Sequence, residues 1–352
     1  MVFFILVCRS YNLINVENIN PHIMVKFGIY PPQVGTEYQS IRETVSEAER
    51  LGFDSVWMSD HLMLLLENIP FLEGWTTLSA IAAETKSLKL GTIVICNTFR
   101  NPSLLAKMAA TLDVISGGRL IFGIGAGWIE KEHDSYGIPF PEPSVRIEQL
   151  RESLQIIKSM WTEEKASFQG KYYNIRGAIC NPKPLQRPHP LILIGGTGSK
   201  ILGVIAELGD YCNYDRLTLD ESRRVLGVIE ERCSSIGRKP SEIGQSFCGE
   251  IILAEDQEQV KQKLARAYED LMTMAEHARK EPIGLYRDRF RPTSIEDYSR
   301  RRIVGTPQQC IEKIGQFVDL GVDHFILVFP DIKERRCLEL FMDQVSPSFK
   351  RR

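Results

Sequence analysis

The chain has 352 residues and a mass of 40.1 kDa; 43% of it is hydrophobic, 25% is charged, and 43 Lys and Arg against 45 Asp and Glu leave a net charge of −2. That length holds one large domain or two medium ones, and the composition is that of a globular protein rather than a disordered, collagen-like or rod-like chain. Balanced charge leaves no global field to draw nucleic acid or anionic lipid, and no apolar run approaches the roughly 20 residues that span a bilayer.

The eight cysteines stand singly, without a CxxC pair or zinc-ligand spacing. They read as reduced structural thiols of a cytosolic protein, and no metal site is expected. Residues 1–23 are read apart. Val2 to Val7 is apolar, but no Lys or Arg precedes it and no small-residue cleavage pattern follows, so it is not expected to act as a signal peptide. The tract is expected to be a peripheral extension, or to precede a true start at Met24, with residues 24–352 as a single domain.

From Met24 short β-branched runs alternate with longer amphipathic segments. Strands are predicted over 25–30, 55–58, 89–95 and 120–124, with helices over 38–51, 75–85, 103–115 and 145–161 between and after them. Further strands follow over 191–194, 211–213, 246–253 and 324–329. Their helices cover 200–208, 221–235, a segment from 257, 307–320 and 334–345. Eight strands, each followed by a helix, predict an α/β fold with a parallel sheet closed into a (β/α)₈ TIM barrel; an open doubly wound sheet is the alternative. Two segments exceed the minimal barrel, 162–190 after strand four and the charged stretch 276–302 after strand seven. Both are expected to roof the catalytic face.

In such a barrel the functional residues lie just beyond the C-terminal ends of the strands. After strand two stand Asp60 and His61, a carboxylate and an imidazole suited to proton transfer, though neighbours on an extended chain point to opposite sides. After strand four, Gly123, Gly125 and Gly127 lack the third-glycine spacing of a dinucleotide fingerprint. They are read as a close approach of backbone to a flat ring system. Trp128, Glu132 and His133 follow as second-tier candidates. After strand five, Gly195-Gly196-Thr197-Gly198 opens a helix whose free N–H groups would seat a phosphate.

At these strand ends the chain resembles the bacterial-luciferase-like superfamily. Phe53 to His61, Gly91-Thr92 leading to Thr98-Phe99-Arg100-Asn101-Pro102, and Ile194 to Gly198 carry the likeness, with Gly305-Thr306-Pro307 and Gly321-Val322-Asp323-His324-Phe325 continuing it. Gly123 to Trp128, Glu132-His133 and Tyr136 to Pro141 resemble the branch that uses coenzyme F420. The resemblance implies a barrel that holds a flavin or the 5-deazaflavin at its C-terminal face, with a cis non-prolyl peptide at Ile93–Val94 backing the ring. It implies cofactor contacts from Ile93, Val94, Cys96, Gly125, Ala126 and Gly127, a phosphate seat at Gly195, Gly196, Thr197 and Gly198, and His61 near the reacting face.

One departure stands out. Trp128 occupies the place of a catalytic Glu in the family's sugar-phosphate dehydrogenases, which argues against sugar-phosphate oxidation. The expectation is a cytoplasmic F420-dependent oxidoreductase passing a hydride between the deazaflavin and a small organic substrate. His61 would be its acid–base group, Asp60 would orient the local hydrogen bonds, and the chain would work as a homodimer without nucleic-acid or membrane partners. The alternatives are an FMN-dependent monooxygenase and a non-catalytic flavin-binding barrel whose pocket 276–302 would fill.

Overall fold

The computed structural model describes residues 24–63, 69–280 and 292–350. The expectation for 1–23 lies outside them, as do residues 281–291 of the suggested pocket-filling segment. In chain order the first elements are β1 (Lys26–Ile29), α1 (Tyr38–Leu51), β2 (Ser55–Met58), α2 (Gly74–Glu84), β3 (Lys89–Thr92), β4 (Ile95–Cys96) and α3 (Pro102–Ile115). Then come β5 (Leu120–Gly125), α4 (Glu130–Tyr136), α5 (Pro143–Thr162), β6 (Ala166–Gln169), β7 (Asn174–Ala178), β8 (Leu191–Gly195), α6 (Ser199–Leu208), β9 (Tyr211–Asp215) and α7 (Leu219–Ser235). The last are β10 (Gly244–Leu253), α8 (Gln257–Lys280), α9 (Ile295–Arg300), β11 (Ile303–Gly305), α10 (Pro307–Val318), β12 (Val322–Val328) and α11 (Arg336–Gln344).

Pairing runs β1-β2-β3-β5-β8-β9-β10-β12 and closes from β12 onto β1, parallel at every step. This is the eight-stranded closed barrel expected from the alternation. Period-two strands sort their side chains between two cores. Phe27, Ile29, Val56, Met58, Phe122, Ile124, Ile192 and Ile194 pack outward under the helices, while Trp57, Ile121, Leu193, Cys248 and Ile326 form a separate cluster inside the ring. Each helix supplies a matching stripe, as Ile41, Val45 and Ala48 do on α1, which stops at Gly52 in the left-handed conformation (φ 84°).

Trp57 fills the centre of the barrel, and two glycines make room for it. A Cβ on Gly91 would lie 2.1 Å from the Trp57 ring, and one on Gly28 would lie 2.6 Å from its Nε1.

Two expectations change. The strand predicted over 89–95 is interrupted: the ladder stops at Thr92, the Ile93–Val94 peptide is cis, and the chain re-enters the sheet at Ile95 and Cys96 opposite Ile124 and Gly125. Segment 162–190 does not roof the strand C-termini. It forms the antiparallel β6–β7 hairpin and a loop bound at the opposite rim, where the Asp113 carboxylate accepts from Leu185 N (2.7 Å), Gln186 N (3.1 Å) and Gln186 Nε2 (2.7 Å). Gln186 also donates to the carbonyl of Leu120, the first residue of β5. The reason is directional: this segment joins the end of a helix to the start of a strand, so it lies where strands begin. The described part of 276–302 does reach the mouth, through Arg301 and Arg302.

Candidate active site

The end of β2 divides Asp60 from His61. Asp60 turns behind the sheet, where its side chain is 2% exposed. Arg100 grips it with two hydrogen bonds (2.6 and 2.8 Å) and also reaches Glu73 (2.6 Å), while Cys96 N donates to Asp60 Oδ2 (3.0 Å). Burial raises the pKa of the Asp60 carboxyl, against the pull of Arg100 and the Cys96 N–H. Asp60 therefore clamps the turn after the cis peptide and does not reach the mouth. It orients the hydrogen bonds of Arg100 and Cys96 N, away from the mouth that His61 faces.

His61 faces the mouth, 29% exposed. Its Nδ1 donates to Glu132 Oε2 at 3.0 Å, because a carboxylate can only accept. The other oxygen of Glu132 accepts from Leu62 N (2.7 Å) and Met63 N (3.3 Å), so one carboxylate 2% exposed fixes both the strand end and the ring. Tyr136 on α4 adds a bond to the Leu62 carbonyl (3.1 Å). The imidazole stands edge-on between Phe71 and Trp128, with centroids 6.1 and 5.9 Å away, and Trp128 is 50% exposed. Among the described residues His61 Nε2 has no protein partner. A histidine held this way keeps one defined nitrogen free for a substrate proton.

Glu132 and His133 are neighbours on α4 but part company. His133 is fully buried between Phe99 and Phe140, donating from Nδ1 to Ile129 O (2.6 Å) and accepting at Nε2 from the Thr98 hydroxyl (2.6 Å). Burial holds its pKa below the ordinary histidine value, so it stays neutral and structural. Cys96, expected at the cofactor, is also turned inward: its thiol packs against Thr98 (3.1 Å) and is pushed up by burial to about 12.

The glycines of β5 and of the turn after it stand in close packing. A Cβ on Gly123 would lie 1.8 Å from Thr92 O, and one on Gly125 would lie 2.7 Å from Val94 Cγ2. One on Gly127, already at φ 78°, would lie 2.6 Å from Cys96 Sγ. At these positions a side chain would collide with the turn around the cis peptide. Ile93 and Val94 remain only partly buried and join the inner cluster, so they present an apolar ledge at the mouth, while the partly buried Ala126 packs on the outer core. Val94 also packs 3.1 Å from where a Gly195 Cβ would be, which extends the ledge to β8. Beyond it Gly196 sits at φ 142°, Thr197 follows, and Gly198 caps α6 with open space around its missing Cβ.

Sequence reasoning missed the opposite half of the mouth. Asp215, Arg216, Glu250 and Arg302 form one charged cluster there, and Tyr30 ends β1 beside it. The inward alternation of β9 and β10 was the signal that could have found it. Among the described residues no three His, Cys, Asp or Glu side chains converge as for a metal, and no helix is long and apolar enough to cross a membrane.

A (β/α)₈ barrel with a pinned imidazole, an apolar ledge and an open helix N-terminus at the strand C-termini defines a barrel enzyme. The chain belongs to the Luciferase-like monooxygenase family, whose profile matches residues 22–324. An F420-dependent glucose-6-phosphate dehydrogenase of Intrasporangium calvum is 31% identical over 317 residues, covering 86% of this chain and 92% of that one. Among solved structures, an F420-dependent secondary alcohol dehydrogenase in complex with an F420-acetone adduct superposes with a TM-score of 0.78 at 20% identity, over 94% of this chain and 100% of the other. The coenzyme F420-dependent tetrahydromethanopterin reductase of Methanopyrus kandleri superposes at 0.74 with 22% identity, over 93% and 99%.

Proposed function

We propose that the protein is an F420-dependent oxidoreductase that passes a hydride between the deazaflavin and the carbonyl or carbinol carbon of a small organic substrate. The observation that carries this is His61, fixed at Nδ1 by Glu132 (3.0 Å) with Nε2 left open beside the Ile93–Val94 ledge. The residues suit the cofactor. The ledge of Ile93 and Val94 offers a flat ring an apolar face. Gly196, Thr197 and Gly198 lead into the ten-residue helix α6, whose positive end favours phosphate, and Arg232 brings a cation within 3.1 Å of Ser199 Oγ.

Bound F420 would supply two-electron hydride chemistry and little reaction with oxygen. The chain's own residues do the rest. His61 Nε2 takes the hydroxyl proton as an alcohol is oxidised, or returns it as a carbonyl is reduced. Glu132 holds the ring in the competent tautomer and stabilises its charged form. Trp128 and Phe71 flank the imidazole edge-on and fix its plane.

Fluorescence titration of the purified protein with F420 and FMN in parallel tests the reading. Clearly tighter binding of F420 is the expected result. The reverse preference would transfer the protein to the oxygen-using, FMN-dependent reading and remove this proposal.

A further inference from the structure

The mouth is chemically two-sided. On the β3–β5–β8 side it is lined by Val94 and glycines; on the β9–β10–β1 side it carries charge. Strand alternation explains the second half. Cys248 belongs to the inner cluster, so Glu250, two residues further along β10, also points inward; Tyr211 packs on that cluster, so Asp215 on β9 does the same. Arg216 follows in the left-handed conformation (φ 51°), uncommon for a residue with a side chain, and this turns its guanidinium back between the two carboxylates.

Its Nε donates to both oxygens of Glu250 (3.2 and 3.0 Å) and its Nη1 to Asp215 Oδ1 (2.9 Å). Arg302, 4% exposed and stacked 3.5 Å over Tyr298, holds Glu250 from the far side at 3.1 Å. Arg216 Nη2 has no protein partner among the described residues, and the side chain is 33% exposed. One edge of a locked guanidinium is thus open to the mouth. Among the described residues the charge around it is balanced, since Arg216 and Arg302 face Asp215 and Glu250, while Arg301 is taken by Glu221 (2.7 Å). A dianion placed at that edge would meet two carboxylates for every two guanidinium groups. A neutral oxygen would find the open Nη2 N–H group without repulsion.

We propose that Arg216 is the substrate-orienting residue and that its carboxylate clamp restricts it to an uncharged acceptor, a carbonyl or hydroxyl oxygen, rather than a phosphate. This rests on the oxidoreductase reading and narrows its substrate class away from phosphorylated sugars.

Calorimetric titration of glucose 6-phosphate, with glucose as control, tests it on the protein with and without F420. Wild type should show no glucose 6-phosphate binding at millimolar concentration. Asp215→Asn, which removes one clamp charge at a side chain 44% exposed, should raise affinity for the phosphate by about tenfold or more. The comparison is blind to the N-terminus of α6, which both proteins share. Millimolar or tighter binding by wild type loaded with F420, or no gain in Asp215→Asn, overturns the proposal. Failure of F420 to bind defeats the functional reading instead, and the cofactor-free titrations still decide this one.

Discussion

At the scale of single residues, the chemistry turns on which atoms of two neighbouring pairs meet. Asp60 and His61 are adjacent, as are Glu132 and His133, yet the working pair is His61 with Glu132, across 71 positions of sequence. His61→Ala should lower turnover by about 10²–10⁴-fold while F420 affinity changes little, a split read from steady-state kinetics against fluorescence titration; unchanged turnover would remove His61 from the reaction. Glu132→Gln is a more searching substitution. Glutamine can still accept from Leu62 N, but its amide can donate to Nδ1 and so place the imidazole proton on Nε2. Turnover should fall by about 10–100-fold, with a displaced pH profile and near-normal cofactor affinity. A pH profile that matches wild type would mean that Glu132 does not set the tautomer.

At the scale of elements, the turn between β3 and α3 and the glycines of β5 behave as one packed unit. Gly125→Ala would put a methyl 2.7 Å from Val94 Cγ2, with the Gly195 backbone on the other side. The expected cost is about 1–3 kcal/mol in urea unfolding, with weaker F420 binding, and Val94→Ala in the same chain should restore much of both. Independent, additive losses would mean the two residues do not share one space. On the opposite rim, Asp113 binds the loop after β7 to the start of the barrel wall. Asp113→Ala strands the N–H groups of Leu185 and Gln186 and should cost about 1–3 kcal/mol without changing cofactor affinity. A loss of F420 binding in that variant would place the loop nearer the mouth than the structure does.

At the scale of the whole molecule, buried ionisable groups tie barrel stability to pH. His324 lies inside the ring, accepting at Nε2 from Ser55 Oγ (2.8 Å), whose own oxygen accepts from Trp57 Nε1 (2.8 Å). The indole can only donate, so the serine proton goes to the histidine. Burial, with Lys26 nearby, drives His324 down from 6.5 to about 3. Its folded pKa is depressed, so between about 6.5 and 3 the unfolded chain takes up a proton that the folded one refuses. Stability is full above that window and is lost as the pH falls through it. Glu250, clamped by Arg216 and Arg302, is lowered from 4.5 to about 2, and its contribution is lost only as the pH falls below about 4.5. Urea unfolding should therefore weaken first from near pH 6, and His324→Gln should flatten the slope between 6.5 and 4.5 while leaving the steeper loss below it. An unchanged slope would show that His324 is not the first group to titrate.

The sequence by itself determined the number and order of barrel strands, because period-two and helical periodicities are local properties of the chain. It also placed the chemistry at strand C-termini and singled out His61 and the Gly195–Gly198 turn. The site of the cis peptide was read by resemblance. Tertiary structure alone decided partners. It sent Asp60 to Arg100, buried His133 on Thr98, gave the β5 glycines to the packing of Val94 and Cys96, and set the 162–190 segment at the rim where strands begin. It also assembled Arg216 from β9, Glu250 from β10 and Arg302 from beyond α9 into one cluster. The physical reason is that periodicity reports which way a side chain points from its own element, whereas a hydrogen bond or ion pair depends on what another element, distant in sequence, brings to meet it.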